Sequence, residues 1–248
     1  MRYRQVLYAN YHSTQSGRAS GTDAKSLFDR ETRQFAREIL PLLSQQPKEA
    51  VIFDMGCGSG SLLKALQNHG FTQAQGMDIS PEQVNVAAQM GVANVAQGDA
   101  LAYVAASEGK FDILLGMDII EHFTKDELVD LLQNIQKSLT PGGIAIFRTP
   151  NLDAFISSAF AHGDFTHENY MNASSAQQVC LACGFDQVSV LPGLMFIENP
   201  IKEWLRKCAS MLVKLRFKLY LFATARSSKQ VLWSPNMIVV AKTKQPTA

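Results

Sequence analysis

Three glycines at alternate positions, Gly56, Gly58 and Gly60, follow an apolar run that ends in Asp54. Such glycines let the backbone turn sharply and approach a ligand without interference from a Cβ atom. The third position after Gly58 is a serine, not the glycine of a dinucleotide-binding loop, and no lysine follows Gly60 where a phosphate-binding loop requires one. The run therefore predicts a binding turn for some other ligand.

Three carboxylates, Asp54, Asp78 and Asp99, end successive β-rich runs. Asp54 would repel a pyrophosphate beside the glycine turn, but it suits a cation such as the sulfonium and ammonium groups of S-adenosylmethionine. Asp78 stands where an α/β nucleotide fold hydrogen-bonds ribose hydroxyls, since a carboxylate accepts from both at once. Asp99 is expected to accept from the exocyclic amine of adenine, with Ile79 and Ala100 as apolar neighbours of the ring.

The runs that position these residues alternate with helical patterns between residues 50 and 148, which is typical of a parallel sheet wrapped by crossover helices. Helix signals include Ser80 as a cap before Pro81, and a capping box from Thr124 to Glu127 whose helix is expected to end at a turn over 141–143. The predicted fold class is a doubly wound α/β fold, with a Rossmann-like, mostly parallel sheet and helices on both faces. The predicted strands cover 50–54, 74–79, 92–97, 111–117 and 143–148.

The remaining segments complete the predicted organisation. Residues 1–44 are expected to form an N-terminal helical cap, and 45–192 a core with a lid inserted at 149–172, because that polar stretch lacks periodicity. The core is expected to end with a helix near 174–182 and a strand near 187–191. Residues 193–233 are predicted to be an amphipathic helical insertion, and 234–248 the final strand and tail.

Composition limits the classes of function. The 248 residues carry a formal net charge of +1, which gives no global field for attracting a polyanion, so no nucleic-acid partner is expected. The amino terminus lacks the apolar core of a signal peptide, which predicts a cytoplasmic protein. Cys180 and Cys183 are predicted to be buried thiols, since no second pair or suitably spaced histidine accompanies them, and no metal is expected.

The motifs together resemble those of class I S-adenosylmethionine-dependent methyltransferases. The ordered set covers about residues 45–150 and consists of Asp54-Met55-Gly56-Cys57-Gly58-Ser59-Gly60, Asp78, Gly98-Asp99-Ala100, Phe111-Asp112-Ile113 and Leu139-Thr140-Pro141-Gly142-Gly143. The resemblance implies S-adenosylmethionine as cofactor and S-adenosylhomocysteine as product. It implies that the glycine turn passes under the methionine end beside Asp54, that Asp78 holds the ribose and that Asp99 faces adenine. The predicted cofactor-binding residues are Asp54, Gly56, Cys57, Gly58, Gly60, Asp78, Ile79, Asp99, Ala100 and Met117.

Histidines mark the side on which the methyl acceptor is expected. The fourth strand runs into Glu121 and His122, at a strand end that lines the ligand crevice of such folds, and the lid carries His167 and Glu168. A sugar or phenol hydroxyl needs its proton removed. We therefore predict His122, His167 and Glu168 as catalytic residues, with structural roles for the two histidines as the alternative. The predicted substrate contacts are Tyr11, Arg148, Asn151 and Asp164, of which Arg148 and Asn151 could equally be loop residues that satisfy backbone groups.

Three further runs, 147–151, 163–168 and 234–237, resemble a bacterial methyltransferase subgroup associated with surface-polysaccharide synthesis. The resemblance implies O-methylation of a sugar hydroxyl in an O-antigen or capsule-like glycan, or in its lipid-linked or nucleotide-linked precursor. The alternative is a quinone-type or other small-molecule O-methyltransferase. The pair of Glu121 and His122 is similar to the pair in small-molecule O-methyltransferases that modify quinones or sugars, so it fits both possibilities. A non-catalytic cofactor-binding protein and an RNA methyltransferase are the remaining alternatives.

A basic segment at 201–229 contains eight lysines and arginines against one acid, Glu203. On a helical wheel its apolar residues share one face, and the charges interrupt it too often for a membrane span. The pattern predicts an amphipathic helix. Such a helix fits peripheral contact with an anionic membrane, and it equally fits packing on the sheet, a lid or a dimer contact.

Overall fold

A central sheet organises the computed structural model, which describes residues 6–7, 24–228 and 231–245. Within these ranges its seven strands are β1 Ile52–Met55, β2 Ala74–Asp78, β3 Val95–Gln97, β4 Phe111–Met117, β5 Leu139–Pro150, β6 Gln187–Pro192 and β7 Asn236–Lys242. Their order across the sheet is β3-β2-β1-β4-β5-β7-β6. The first five strands pair in parallel, whereas β7 runs antiparallel between β5 and β6. The predicted doubly wound, mostly parallel α/β fold is confirmed.

Eight helices connect or flank the strands in the described ranges. They are α1 Ala24–Ile39, α2 Ser61–Asn68, α3 Pro81–Gln89, α4 Ala100–Ala105, α5 Lys125–Ser138, α6 Ser157–Ala161, α7 Ala173–Ala182 and α8 Pro200–Ala223, with 3₁₀ turns at Leu40–Leu43 and Ile120–His122. The caps read from the sequence start the helices as predicted: the Ser80 hydroxyl accepts from the Gln83 amide, and Thr124 and Glu127 form a reciprocal capping box.

Helices cover both faces of the sheet, and the central strand β1 is buried on each. Phe53 packs into the core formed with α4, α5 and α7, where Leu131 of α5 is also buried. Ile52 belongs to the opposite core, which includes Phe28 of α1 and Leu63 of α2. Because successive strand residues point to opposite faces, the short apolar run of β1 supports both cores.

The turn expected over 141–143 is wrong as a boundary between α5 and β5. The strand begins at Leu139, directly after α5, because Leu139 already pairs with Phe111 of β4. The register then jumps, so that Ile113 pairs with Ile144. The Thr140 hydroxyl donates to the Asp112 carboxylate at 3.0 Å within this irregularity. The Pro-Gly-Gly run therefore forms a bulge inside a long strand, which its pairing with β4 holds in place.

Strand β3 is shorter than predicted because residues 91–94 still close α3. The Val92 amide donates to the Ala87 carbonyl at 3.0 Å, and Asn94 adopts a left-handed conformation with φ of 59°. The strand can therefore begin only at Val95.

The last two insertions lie at the carboxyl end of β5 and between β6 and β7. The lid, residues 149–172, contains α6 and closes on itself through a bridge between Asn151 and Met171. The basic segment forms α8, which ends at Ala223, and none of its residues is buried. Membrane contact, packing on the sheet, a lid and a dimer contact, the alternatives left open by the sequence for this helix, stay predictions. In the described part of the chain, every helix is too short or too polar to span a bilayer.

Candidate active site

The glycine turn joins β1 to α2 and is fixed by backbone contacts. The amide of Gly56 donates to the Met77 carbonyl at 2.9 Å, which ties the turn to β2. All three glycines have positive φ, and a Cβ on Gly56 would lie 2.7 Å from Cδ1 of Ile119. A Cβ on Gly58 would meet nothing within 4 Å. The turn therefore needs glycine for its backbone conformation, and at Gly58 it borders open space.

Asp78, at the end of β2, fastens the turn from the other side. One carboxylate oxygen accepts from the Gly58 amide and the other from the Ser80 amide, both at 2.8 Å. Each carboxylate oxygen can accept more than one hydrogen bond, so the side chain keeps acceptor capacity toward a ligand. The structure thus gives Asp78 a part in shaping the turn that the sequence did not reveal.

Asp54 lies under the turn and is 2% exposed. Burial, and secondly the negative charge of Asp78, raises the pKa of Asp54 to about 8. Removal from water disfavours the charged form of a carboxylate, and a nearby cation would restore it. Burial likewise raises the pKa of Cys57 above its ordinary value, so this side chain is a neutral thiol. The site offers a carboxylate that a positive ligand would ionise.

A cavity of about 360 Å³ opens above these residues. It is lined by the turn, by Asp54 and Met117 from the strand ends, and by Glu31, Gln34 and Phe35 from α1. Ile79, Asp99 and Ala100 occupy the neighbouring tips of β2 and β3, outside the lining. Ile79 is 75% exposed, and Asp99 uses one oxygen to cap α4. The predicted cofactor residues therefore lie along one edge of the sheet.

An ion-pair cluster closes the cavity opposite the turn, and the sequence did not predict it. Arg148 of β5 binds the carboxylate of Asp118, which follows β4, and lies 3.2 Å from Glu38 of α1. Glu38 also accepts from the Leu194 amide at 2.7 Å. These two ion pairs hold α1 against the sheet, and Arg148 also lines the cavity, so its contact with substrate stays a prediction.

Two signals could have revealed this ion-pair cluster and the face of α1 beside it. Glu31, Gln34, Phe35 and Glu38 recur at the i, i+3, i+4, i+7 spacing that places residues on one helix face. Asp118 has a left-handed φ of 52°, a conformation that Asp and Asn adopt more readily than other residues, and it follows a strand end. Neither signal belongs to the cofactor motifs.

Asn151 does not offer its side chain to a substrate. The residue is buried, and its amide group donates to the carbonyls of Leu232 and Ser234 at 2.9 Å each. Its carbonyl oxygen accepts from the Asp153 amide at 3.1 Å. The expected substrate contact is therefore wrong, and the alternative of a loop residue that satisfies backbone groups is correct. Tyr11, the other early candidate, lies outside the described residues.

The lid brings a second histidine to His122. The rings of His122 and His167 lie edge to face, with 4.8 Å between their centroids. The Thr166 hydroxyl lies 2.8 Å from Nδ1 of His122 and donates to the Asp164 carboxylate at 2.7 Å. Because that single hydroxyl hydrogen is used, Nδ1 of His122 must carry the hydrogen, which leaves Nε2 as the proton acceptor. Burial, and secondly the charge of His167, lowers the pKa of His122.

His167 has the same tautomer for a similar reason. Its Nδ1 lies 2.7 Å from the Ala161 carbonyl, which can only accept, so Nε2 is again the basic nitrogen. Asp164 accepts from both the amide and the hydroxyl of Thr166. Asp164 thus positions Thr166 through one carboxylate oxygen, and its contact with substrate stays a prediction. The backbone of Glu168 donates to the Glu121 carbonyl at 2.8 Å, which holds the lid on the 3₁₀ turn.

Glu121 is the buried carboxylate of this group. Burial, and secondly the charge of Asp118, raises the pKa of Glu121 to about 8, and its Oε2 has no hydrogen-bond partner among the described residues. Ligand atoms of Glu121, His122 and His167 all lie within 4.8 Å of one another. Two imidazoles and a carboxylate are donors that a divalent cation such as zinc accepts. The group can thus act as two general bases or as a set of metal ligands. The sequence analysis predicted the bases and no metal.

Cys180 and Cys183 are buried, free thiols on and beside α7, as predicted. Burial raises the pKa of Cys180 to about 12, with a smaller contribution from Cys183. They lie in the core and take no part in the site.

Comparison with known proteins identifies the family. The model of a family described as "Methyltransferase domain" matches residues 28–190, and the chain belongs to this family. A SAM-dependent methyltransferase from Archaeoglobus fulgidus aligns with 89% of this chain and all of its own, at a TM-score of 0.59 and 18% identity. A phosphoethanolamine N-methyltransferase 2 from Haemonchus contortus, solved with S-adenosyl-L-methionine, covers 84% of this chain and 52% of its own, at a TM-score of 0.55 and 18% identity. The fold is that of class I S-adenosylmethionine-dependent methyltransferases.

Curated relatives point to a narrower group than the fold does. A ubiquinone biosynthesis O-methyltransferase from Methylobacterium nodulans is 30% identical over 42% of this chain and 43% of its own length. One from Cereibacter sphaeroides is 32% identical over 48% and 50%. The chain spans half of the length, or less, of the curated relatives that it matches. These names agree with the small-molecule alternative better than with the polysaccharide subgroup.

Proposed function

We propose that the protein transfers the methyl group of S-adenosylmethionine to a hydroxyl group of a small molecule. The observation that carries the proposal is the glycine turn over the buried Asp54, fastened through Gly58 to Asp78 and open to a cavity of about 360 Å³. When bound, S-adenosylmethionine supplies an electrophilic methyl group on a sulfonium cation. Asp54 would offset the positive charge, Asp78 would accept from the ribose, and Asp99 and Ile79 would hold the adenine.

The histidine pair supports a hydroxyl acceptor over an amine. A hydroxyl is a poor nucleophile until a base within hydrogen-bond reach removes its proton, whereas an amine needs none. In the neutral tautomer that a protein acceptor of Nδ1–H selects, Nε2 is the proton-accepting nitrogen of both His122 and His167. Methyl transfer is an in-line displacement, so the remaining contribution of the site is to hold the acceptor in place. We propose His122 as the base and His167 as its partner.

We infer a phenol-type hydroxyl, as in a quinone precursor, as the leading acceptor. The lowered pKa of His122 makes it a weak base, which suits a phenol of pKa about 10 better than a less acidic sugar alcohol. The named relatives support the same choice. Asn151, whose polar group suggested a sugar, already binds protein donors and acceptors.

A sugar hydroxyl of a polysaccharide or its precursor is the second candidate. The observation that favours it is the polar lid, in which Glu168 is half-buried next to His167 of the histidine pair. A polyol could exchange hydrogen bonds with such groups, which a prenylated ring could not.

An acceptor panel tests the proposal. Purified protein is incubated with S-adenosylmethionine and either catechol-type phenols that carry short prenyl chains or sugar nucleotides and lipid-linked sugars, and mass spectrometry detects added methyl groups. We expect methylated phenol and no methylated sugar. Methylation of sugars alone would overturn the acceptor class, and cofactor binding without turnover on either set would favour the non-catalytic alternative.

A further inference from the structure

One side of helix α8 faces the rest of the protein and carries both polar and apolar residues. The half-buried side chains that recur at helical spacing on this side are Glu203, Arg206, Ser210, Lys214, Phe217 and Leu221. Glu203 accepts twice from Arg206 at 2.7 Å and once from the Ile197 amide at 3.0 Å. The ring of Phe217 lies 5.1 Å from that of Phe155 in the lid and 5.6 Å from that of Trp233. These contacts fix which side of the helix faces outward.

The outward side is apolar. Its residues recur every three or four positions, and six of them are between 61% and 81% exposed: Ile201, Trp204, Leu212, Leu215, Leu219 and Phe222. At 100° per residue these positions fall on one stripe that runs the length of the helix. A helix of a water-soluble domain normally buries such a stripe, as α5 does with Leu131 and Ile135. The exposed stripe therefore requires an occupant.

Cations border the stripe on both sides. Lys207 and Lys218 follow one edge, and Lys202 and Arg216 the other, by the same helical geometry. On the first edge the lysines line a groove of about 410 Å³ whose walls include Met211 and Leu215. The one acid of α8, Glu203, is held by Arg206, and the exposed Lys207 lies 3.8 Å from it. The outward surface is thus apolar along its middle and positive along its edges.

We propose that α8 docks on a membrane surface rich in anionic phospholipid. The stripe enters the boundary between headgroups and acyl chains, and the lysines bind lipid phosphates in the groove and along the other edge. Charge complementarity selects this occupant, because a second copy of the chain would bring lysine edges together and an RNA would leave the apolar stripe in water. The inference is independent of the acceptor proposed above.

Vesicle co-sedimentation of the full chain tests this surface. We expect binding to vesicles of phosphatidylcholine with anionic phosphatidylglycerol, and at least tenfold weaker binding to phosphatidylcholine alone. Lys207→Gln with Lys218→Gln should weaken binding to anionic vesicles roughly tenfold or more, since each surface lysine contributes measurably. Its matched control, Lys125→Gln with Lys137→Gln, removes the same charge from α5 and should leave binding to anionic vesicles unchanged.

A second pair of variants separates the stripe from the charges. Leu212→Ser with Leu219→Ser should weaken binding at least tenfold, whereas Leu181→Ser with Leu191→Ser, which alters exposed leucines elsewhere, should not. The melting temperature should stay unchanged because no residue of α8 is buried. Methylation of a water-soluble acceptor should also stay unchanged, which keeps a failure here distinct from a failure of the proposed function.

Three results would overturn the proposal. Equal binding to neutral and anionic vesicles would remove the role of the lysines. A dimer in lipid-free sedimentation that the leucine variant dissociates would assign the stripe to a second copy. Salt-sensitive RNA binding that the lysine variant abolishes and the leucine variant spares, together with no vesicle binding, would assign the surface to nucleic acid.

Discussion

The cofactor side and the acceptor side of this molecule are held in place by different means. On the cofactor side the glycine turn is fixed by its own backbone, through the Met77 carbonyl and the Asp78 carboxylate. On the acceptor side His122 is fixed by side chains of a lid that returns 44 residues later. A turn of this kind depends on local sequence, whereas the histidine pair depends on how the lid closes. The two sides should therefore fail separately when changed.

The largest effect is expected at His122. Replacement by Gln should lower kcat about 100-fold to 10,000-fold, the usual contribution of a general base, with little change in the affinity for S-adenosylhomocysteine. Single-turnover kinetics and titration calorimetry measure the two quantities. His69→Gln, which alters an exposed histidine of the chain, serves as the control. Full turnover in the His122 variant, or activity that a chelator abolishes and a divalent cation restores, would contradict the assignment as base.

Asp78→Asn should affect cofactor binding. Loss of a charged acceptor for the ribose should weaken cofactor binding about 10-fold to 100-fold, as a hydrogen bond to a charged group is worth about 1.5–3 kcal/mol. Turnover at saturating cofactor should remain near its original value. Asp126→Asn, an exposed acid in the first turn of α5, is the matched control. Unchanged affinity by calorimetry would remove Asp78 from the ribose.

The pH dependence of cofactor binding should follow Asp54. With its pKa near 8, the free carboxyl is neutral below that pH, while a cationic cofactor binds the ionised form. Affinity should thus fall as pH drops below 8, by at most about tenfold per pH unit, and binding should release a proton. Calorimetry in buffers of different ionisation enthalpy measures the release. The Asp54→Asn variant should bind the cofactor weakly at every pH. An unaltered pH profile in this variant would show that ionisation of Asp54 does not cause the pH dependence.

The smallest effect is expected at Thr166. Thr166→Val removes the acceptor of the His122 Nδ1–H, so the tautomer is no longer fixed and kcat should fall only several-fold, within the roughly 1 kcal/mol of one neutral hydrogen bond. A hydrogen bond donated by a charged imidazole is stronger than one donated by a neutral imidazole, so loss of this bond should move the acid limb of the kcat/KM profile to lower pH. Thr166→Ser should restore both. A fall in kcat with an unshifted limb would indicate a merely structural role.

The same difference between local and long-range contacts decides which parts of the site can be predicted from the sequence. Gly56, Gly58, Asp54 and Asp78 lie within 25 residues at a spacing that one crossover dictates, so their placement at one edge followed from the pattern. Asn151 and Arg148 could not be assigned, because their partners Leu232, Ser234 and Glu38 come from distant segments. Long-range pairing of side chains leaves no local signature. The bulge in β5 escaped prediction for the same reason, since pairing with β4 decides where that strand begins.

The antiparallel insertion of β7 between β5 and β6 sets an order of assembly. During synthesis β1 to β4 and their helices are complete long before residues 236–242 leave the ribosome, whereas β5 lacks one neighbour and β6 lacks its only partner in the described sheet until then. The lid and α8 are connected to these two strands, whose pairing is still incomplete at that stage. Native contacts between distant segments form late because loop closure costs entropy. The half proposed to bind the cofactor thus folds first, and the half proposed to bind the acceptor folds last.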